Sequence, residues 1–206
     1  MNQKNLLGLD SCFMDFDDPL ELFKIWMSEA EKNEINDPNA FSLATTNKKN
    51  EPSVRMILLK GFSQKGFVFY TNLNSPKSKD LKIIPKASMC FHWKSLQRQI
   101  RISGSINQVD SKEADNYFNS RPYESRIGAW ASKQSQPLEG RYELEKRIAK
   151  YTAKFNVSNV PRPEFWSGFR VFPGSMEFWS EEAFRLHDRR LYTCVDEGWV
   201  MERLYP

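Results

Sequence analysis

The sequence predicts an α+β protein, a mostly antiparallel β-barrel with peripheral helices. Three observations predict it. Short runs rich in branched and aromatic side chains recur at 40–46, 53–60, 66–71, 87–93 and 98–109, the spacing of consecutive antiparallel strands. The last run alternates, with Ile100, Ile102 and Ile106 on one face and Gln99, Arg101, Ser103 and Asn107 on the other, as a half-buried strand does. Helical periodicity is confined to a few separate stretches, and no repeat or long linker divides the 206 residues, so one domain is expected.

In chain order, the segment 1–16 reads as an N-terminal arm. Asp17 and Asp18 then precede Pro19, and Leu20, Phe23, Trp26, Met27 and Ala30 follow at helical spacing. That is a capped amphipathic helix with proline in its first turn. Asp37-Pro38-Asn39 marks a turn, and the strands begin after it. A short helix interrupts them: Ser75 stands at the cap position, Pro76 opens it, and 79–84 continue it. Asp110 with Glu113 forms a capping-box-like pair for a helix running towards Phe118. A third helix is expected over 138–155, with Leu144, Ile148, Tyr151 and Phe155 along one stripe. Val160-Pro161-Arg162-Pro163 breaks it. The chain then returns to strands at 165–172 and 175–179, and to a hairpin over 184–204 turning near Asp196-Glu197-Gly198.

Composition narrows the function. Hydrophobic residues make up 40% and charged residues 27%, as in globular proteins. The N-terminus lacks the basic start, apolar stretch and cleavage site of a secretory signal, and no apolar run is long enough to cross a bilayer, so a cytoplasmic location is expected. Cys12, Cys90 and Cys194 are far apart, as are His92 and His187. Neither a disulfide framework nor a metal site is expected. Between Pro52 and Val109 ten basic residues accompany one acid, Asp80, so that segment carries +9 and the rest of the chain −5. Such a segment suits an anionic partner, although a charge cluster by itself more often marks a solvated face. Neither glycine-rich phosphate loop, G-x-G-x-x-G or G-x-x-x-x-G-K-[ST], is present. Side chains and strand edges must therefore hold any anionic cofactor.

Four segments carry residues suited to that task. In 53–60, Arg55 and Lys60 bracket an apolar strand at odd spacing, which points them to opposite faces and suits two separate anions. Tyr70 and Thr71 end a strand just before Ser75-Pro76-Lys77, which opens a helix; hydroxyl, helix N-terminus and lysine together suit an anion. Tyr117, Arg121 and Ser125 recur every four residues and would share a helical face, although Pro122 interrupts that helix. Gln134 and Ser135 add two hydrogen-bonding groups. Arg185, His187 and Arg189 alternate as if on one strand face, with Trp179 shortly upstream. Taken alone, the first two segments are more often an ordinary strand–helix turn with exposed lysines, and the last more often an exposed edge strand.

Together the segments resemble the pyridoxamine 5′-phosphate oxidase family. The resemblance rests on RMILLKGF (55–62), VFYTNL (68–73), LQRQIRISG (96–104), YFNSRP (117–122), IGAWASKQS (127–135), FWSGFRV (165–171) and EFW…RLHDR (177–189), all in the same order. It implies a split β-barrel and a homodimer with FMN at the subunit interface. By that similarity FMN meets Arg55, Met56, Ile57, Leu58, Leu59, Lys60, Tyr70, Thr71, Lys77, Gln99, Gln134, Ser135, Trp179 and Arg189. The substrate, a phosphorylated B6 vitamer, meets Lys60, Tyr117, Arg121 and Ser125 through its phosphate, with Arg185 and His187 over its ring as the catalytic pair. The implied reaction oxidises pyridoxine or pyridoxamine 5′-phosphate to pyridoxal 5′-phosphate with O2 as acceptor. The chain departs from the family pattern at Pro76, where a basic residue is usual, in Met1–Cys12, which lacks the usual Arg and Tyr, and at Tyr205, where a small residue is usual. The rival readings are another split-barrel flavoprotein, such as a flavin reductase or FMN-binding protein, and a nucleic-acid-binding barrel using Phe62, Phe67, Phe69, Tyr70, Phe91 and Trp93. The strand positions of those aromatics favour a core role.

Overall fold

The computed structural model describes residues 3–4, 10–11, 13–14, 16–155 and 159–206. Most of the N-terminal arm, Cys12 included, lies outside them. Strands β1 (Gln3–Lys4) and β2 (Asp10–Ser11) pair with each other. Helix α1 (Pro19–Asn33) starts where its cap dictates: the Asp18 carboxylate accepts from the Leu20 N–H at 2.9 Å, and Pro19 needs no donor there. Its buried stripe is Leu22, Phe23, Trp26 and Ala30. Phe23 meets Phe62, Phe67 and Phe91 edge-on at 4.8, 4.9 and 5.4 Å between ring centroids. Phe23→Ala leaves a cavity at the junction of helix and barrel. It is expected to cost about 3–5 kcal/mol, measurable as a lowered midpoint in urea with an unchanged m-value.

The main sheet comprises β3 (Ala40–Thr46), β4 (Pro52–Leu58), β5 (Gly61–Ser63), β6 (Gly66–Asn72), β7 (Lys86–Trp93), β8 (Arg98–Gln108), β9 (Trp166–Ser180), β10 (Asp188–Val195) and β11 (Gly198–Arg203). Its order is β11-β10-β9-β8-β7-β3-β4, with β6 also on β9 and β5 on β6, every pair antiparallel. Strand β9 splits the barrel. Its first half pairs with β6 and its second half with β10, while β8 runs along its other edge. The Lys60 N–H donates to Val68 O at 2.8 Å and ties the end of β4 back to β6. Alternating burial along β3 and β7 aims Phe41, Leu43, Met89, Phe91 and Trp93 inward, beside Ile100, Ile102 and Ile106 of β8. Phe67, Phe69, Phe91 and Trp93 are therefore core residues and unavailable for stacking on bases.

Helices α2 (Pro76–Ile83), α3 (Ser111–Ser120), α4 (Tyr123–Ala131) and α5 (Glu143–Lys154) lie outside the barrel. A second apolar cluster, Phe118, Ile127, Val160 and Trp166, joins α3 and α4 to β9. The Asp110 carboxylate caps α3 through the Glu113 N–H, but the Glu113 carboxylate bonds Arg170 and does not close the capping box.

Several boundaries differ from expectation. Strand β4 ends at Leu58, so Lys60 is past the strand and the odd-spacing argument no longer applies to it. The expected strands at 165–172 and 175–179 are one, β9, because a register shift between Ser103 and Gly104 accommodates Pro173. Pro173 has no N–H for the ladder, and such a bulge tolerates it. Helix α5 begins at Glu143, not at 138. Helix α4 was not expected, since Pro122 reads as a break; here it caps a new helix with Glu124 in the first turn. The hairpin proper starts at Asp188, after a 3-10 turn over Ala183–Arg185.

Candidate active site

A buried lysine sits where β6 hands over to α2, beside the half-buried Arg55 of β4. The Lys77 Nζ donates to Thr71 Oγ1 at 3.0 Å and Ser75 Oγ at 3.2 Å. Ser75 does not cap α2 with its side chain; its hydroxyl bonds Asn72 O and faces Ser78. Arg55 reaches Leu43 O, Thr45 Oγ1 and Ser53 Oγ. Lys77 is buried, and among the described residues no carboxylate pairs with it. Burial first, then the Arg55 charge, push its pKa from 10.5 down to about 8. An ammonium satisfied only by hydroxyls and crowded by a guanidinium is a costly arrangement until an anion joins it. Gln134 accepts from Thr71 Oγ1 at 3.5 Å, which places the 134–135 loop at the edge of the same pocket; Ser135 next to it is exposed with φ +63°.

Beside this pair opens a cleft of about 820 Å³, walled by Met56, Ile57 and Leu58 of β4 and by Tyr70 and Trp166. Lys60, Tyr117, Arg121 and Ser125 all line it. A second recess of about 400 Å³ shares Ile57, Tyr70, Arg121, Ser125 and Trp166 and extends to Thr71 and Gln134. The trio 117, 121 and 125 does not lie on one helix: α3 ends at Ser120, Arg121 and Pro122 form the corner, and Ser125 is in α4. The corner, not helical periodicity, brings them together. The Arg121 guanidinium lies over Trp166 at 4.9 Å and Phe118 at 5.6 Å, and its Nη1 is buried without a hydrogen-bond partner among the described residues. Burial lowers its pKa and the Tyr117 phenol opposes that; a guanidinium stays charged regardless.

Tyr70, Tyr117 and Trp166 form a nearly parallel stack, with Tyr70 centred 3.9 Å from Tyr117 and 5.3 Å from Trp166. Burial, then the charge of Glu113, push the Tyr70 pKa up to about 12, so its hydroxyl stays protonated at neutral pH. Gly168 allows the Tyr70 ring to lie flat: a Cβ there would sit 2.7 Å from Tyr70 Cδ1 and Cε1.

The other candidates form a separate group. Gln99 pairs across the sheet with Trp179, and Trp179 with Arg189. The Arg189 guanidinium donates twice to Glu177 Oε1, at 3.0 and 2.8 Å, and once to Tyr205 O at 2.8 Å. Tyr205 thus contributes its backbone, and its ring is exposed. His187 lies 4.6 Å from the Trp179 ring and accepts from the Glu182 N–H. The expectation of one strand face for Arg185, His187 and Arg189 is wrong. Arg185 belongs to the 3-10 turn, where Phe184 and Arg185 have φ +57° and +61°, and only Arg189 is in β10. None of Gln99, Trp179, Arg185, His187 or Arg189 lines the cleft of its own protomer. Two residues of this architecture escaped the sequence reading, Trp166 and Glu177. Both sit inside quoted motifs, yet neither residue type at that position signals a role by itself.

Fold and cleft define a split-barrel protein with an aromatic-walled pocket lined by Lys60 and Arg121. The same fold occurs in a pyridoxamine 5′-phosphate oxidase-related, FMN-binding protein from Nostoc punctiforme (TM-score 0.75, 15% identity, 94% of this chain and 100% of that one). PhzG from Burkholderia lata, solved with tetrahydrophenazine-1-carboxylic acid, is more similar (TM-score 0.88, 30% identity, 93% of this chain and 94% of that one). Residues 27–155 match the pyridoxamine 5′-phosphate oxidase family, and residues 166–206 match the pyridoxine 5′-phosphate oxidase C-terminal dimerisation region. Over 100% of both chains the sequence is 57% identical to the pyridoxine/pyridoxamine 5′-phosphate oxidase of Pelagibacter ubique. The enzyme of the same name from Bartonella henselae is 56% identical over 98% of this chain and 99% of its own. The chain belongs to the pyridoxamine 5′-phosphate oxidase family.

Proposed function

We propose that this chain is an FMN-dependent oxidase that converts pyridoxine or pyridoxamine 5′-phosphate to pyridoxal 5′-phosphate, with O2 as acceptor and hydrogen peroxide released. The observation that carries this reading is the convergence of Lys60, Tyr117, Arg121 and Ser125 on one cleft beside the buried Lys77 and Arg55. Two cationic pockets next to each other suit two phosphate esters, one from the cofactor and one from the substrate.

FMN fits the residues present, because Lys77 is buried on the hydroxyls of Thr71 and Ser75 and no carboxylate pairs with it among the described residues. Its phosphate would be held by Arg55 and Lys77, and its ring would lie along the backbone of Met56, Ile57, Leu58, Leu59 and Lys60, near Tyr70, Thr71, Gln134 and Ser135. Pro76 donates no charge there, which leaves that role to Lys77. A second copy of the chain would bring Gln99, Trp179 and Arg189 to the flavin, and Arg185 and His187 to the substrate ring. The match of 166–206 to a dimerisation region supports that arrangement. When bound, FMN would supply the two-electron redox chemistry between substrate and oxygen. The protein's part is placement. Lys60, Tyr117, Arg121 and Ser125 anchor the substrate phosphate, Arg185 steadies the ring near its reacting carbon, and His187 bonds the ring or its hydroxyl. Arg185 cannot serve as a base, since its guanidinium holds its proton. The reading extends to one domain over 1–206 and to a cytoplasmic location, which the free thiols of Cys90 and Cys194 suit. Among the described residues no helix is long and apolar enough to cross a membrane.

The test is direct. FMN-reconstituted protein given pyridoxine 5′-phosphate in air should form aldehyde and hydrogen peroxide in equal amounts. FMN binding without either product would leave only a flavin-binding role.

A further inference from the structure

We infer that Trp166 is a positioning residue for the substrate's phosphate pocket, holding Tyr117 and Arg121 in place without spending their hydrogen-bond donors. This rests on the reading that Tyr117 and Arg121 meet the substrate phosphate. Trp166 is the first residue of β9 and pairs in register with Asn72 of β6. Its N–H donates to Pro163 O at 3.0 Å and its carbonyl accepts from Arg162 Nη1 at 2.8 Å. Its backbone is therefore fixed on both sides, and its side chain is buried at 6% exposure.

From that fixed point the indole makes contacts in several directions. Tyr70 and Tyr117 lie nearly parallel to it, at 6° and 4° between planes. Phe118 meets it edge-on at 5.0 Å. The Arg121 guanidinium lies 4.9 Å from the ring centroid. Arg121 is the telling case. A buried guanidinium is usually fixed by carboxylates or carbonyls, which occupy its N–H groups. Here aromatic faces fix it, and Nη1 keeps no partner among the described residues. Contact with a ring face attracts the cation and leaves its planar fork of donors free. An arginine held in this way is pre-organised for a phosphate, with no internal bond to break on binding. Gly168, two residues further along β9, completes the device by leaving room for Tyr70 to lie flat in the stack.

Trp166→Leu removes the ring from both partners. The expected result is a KM for pyridoxine 5′-phosphate about tenfold higher, with kcat changed less than about threefold. The Kd for FMN, read by flavin fluorescence, should change less than about threefold, since Trp166 reaches the cofactor only through Tyr70. The Kd for pyridoxal 5′-phosphate, read by its own absorbance in FMN-free protein, should rise as KM does. Trp166→Phe keeps a ring in the core and should recover most of the wild-type KM. Gly168→Ala, which disturbs the stack from the Tyr70 side, should raise KM in the same direction. A fall in kcat together with weaker FMN binding, at unchanged KM, would overturn the inference and show a general structural role. Arg121→Ala serves as the control. If it too leaves KM unchanged, the phosphate-pocket assignment falls and the inference with it; if Arg121→Ala raises KM and Trp166→Leu does not, the inference alone falls.

Discussion

Arg121→Ala is expected to raise KM for the phosphorylated substrate about 10- to 100-fold while FMN stays bound. The size follows from the chemistry of the contact. A hydrogen bond to a charged group contributes about 1.5–3 kcal/mol, and each 1.4 kcal/mol is about a tenfold change in affinity. The direction follows from the geometry. Arg121 lines the cleft with Lys60, Tyr117 and Ser125, and its buried Nη1 has no other partner among the described residues. The Arg55–Lys77 pair is built from other elements, with its own bonds to Thr45, Ser53, Thr71 and Ser75. Steady-state kinetics and flavin fluorescence on the same preparation separate the two pockets. Loss of FMN at unchanged KM would move Arg121 from the substrate phosphate to the cofactor's.

Lys77→Met should weaken FMN binding about 10- to 100-fold, because a buried charge-assisted contact to the cofactor phosphate is removed. The same change should make the FMN-free protein more stable. In that state Lys77 is a buried ammonium beside Arg55 with only hydroxyls for company, and methionine fills similar space without the charge. The pH dependence distinguishes this cause from simple loss of packing. The folded pKa, about 8, lies below the usual 10.5. The unfolded chain therefore holds more proton between those values, and wild-type FMN-free stability should rise across that window. FMN affinity should run the other way, flat between about pH 7 and 8, where the phosphate is already a dianion, and falling above about 8 as Lys77 loses its proton in the free protein. In Lys77→Met both trends should disappear. Persistence of either would place the titrating group elsewhere.

The basic segment shows how charge read from sequence is redistributed by folding. Of its ten cations, Arg98 pairs with Glu29 of α1 and Arg101 with Glu177 of β9. Those cations are spent on internal structure. Arg55 and Lys77, with which no carboxylate forms an ion pair among the described residues, are the ones proposed to hold the cofactor phosphate. Counting charges along the chain could not sort these classes, because the acids that neutralise some of the cations come from distant elements.

What the sequence by itself determined are the features written within a few residues of one another. The Asp18–Pro19 cap started α1 at the expected residue, and the alternation at 100, 102 and 106 marked the inward face of β8. The ordered motifs 55–62, 117–122 and 165–171 carried the family. The cap and the alternation act inside a single element and survive into the folded state; the four-residue spacing of 117, 121 and 125 and the two-residue spacing of 185, 187 and 189 cross element ends and do not. Tertiary structure alone decided the rest. It joined 165–172 to 175–179 through a bulge opposite Gly104, ended β4 before Lys60, and turned Arg121-Pro122 into a corner that converges Tyr117 and Ser125. It also placed Arg185 in a left-handed turn, away from the strand that carries Arg189. The physical reason is common to all four. Hydrogen-bond partners across a sheet, and the rings that fix a guanidinium, are supplied by segments tens of residues away, so the identity of a residue names its chemistry but not the company it keeps.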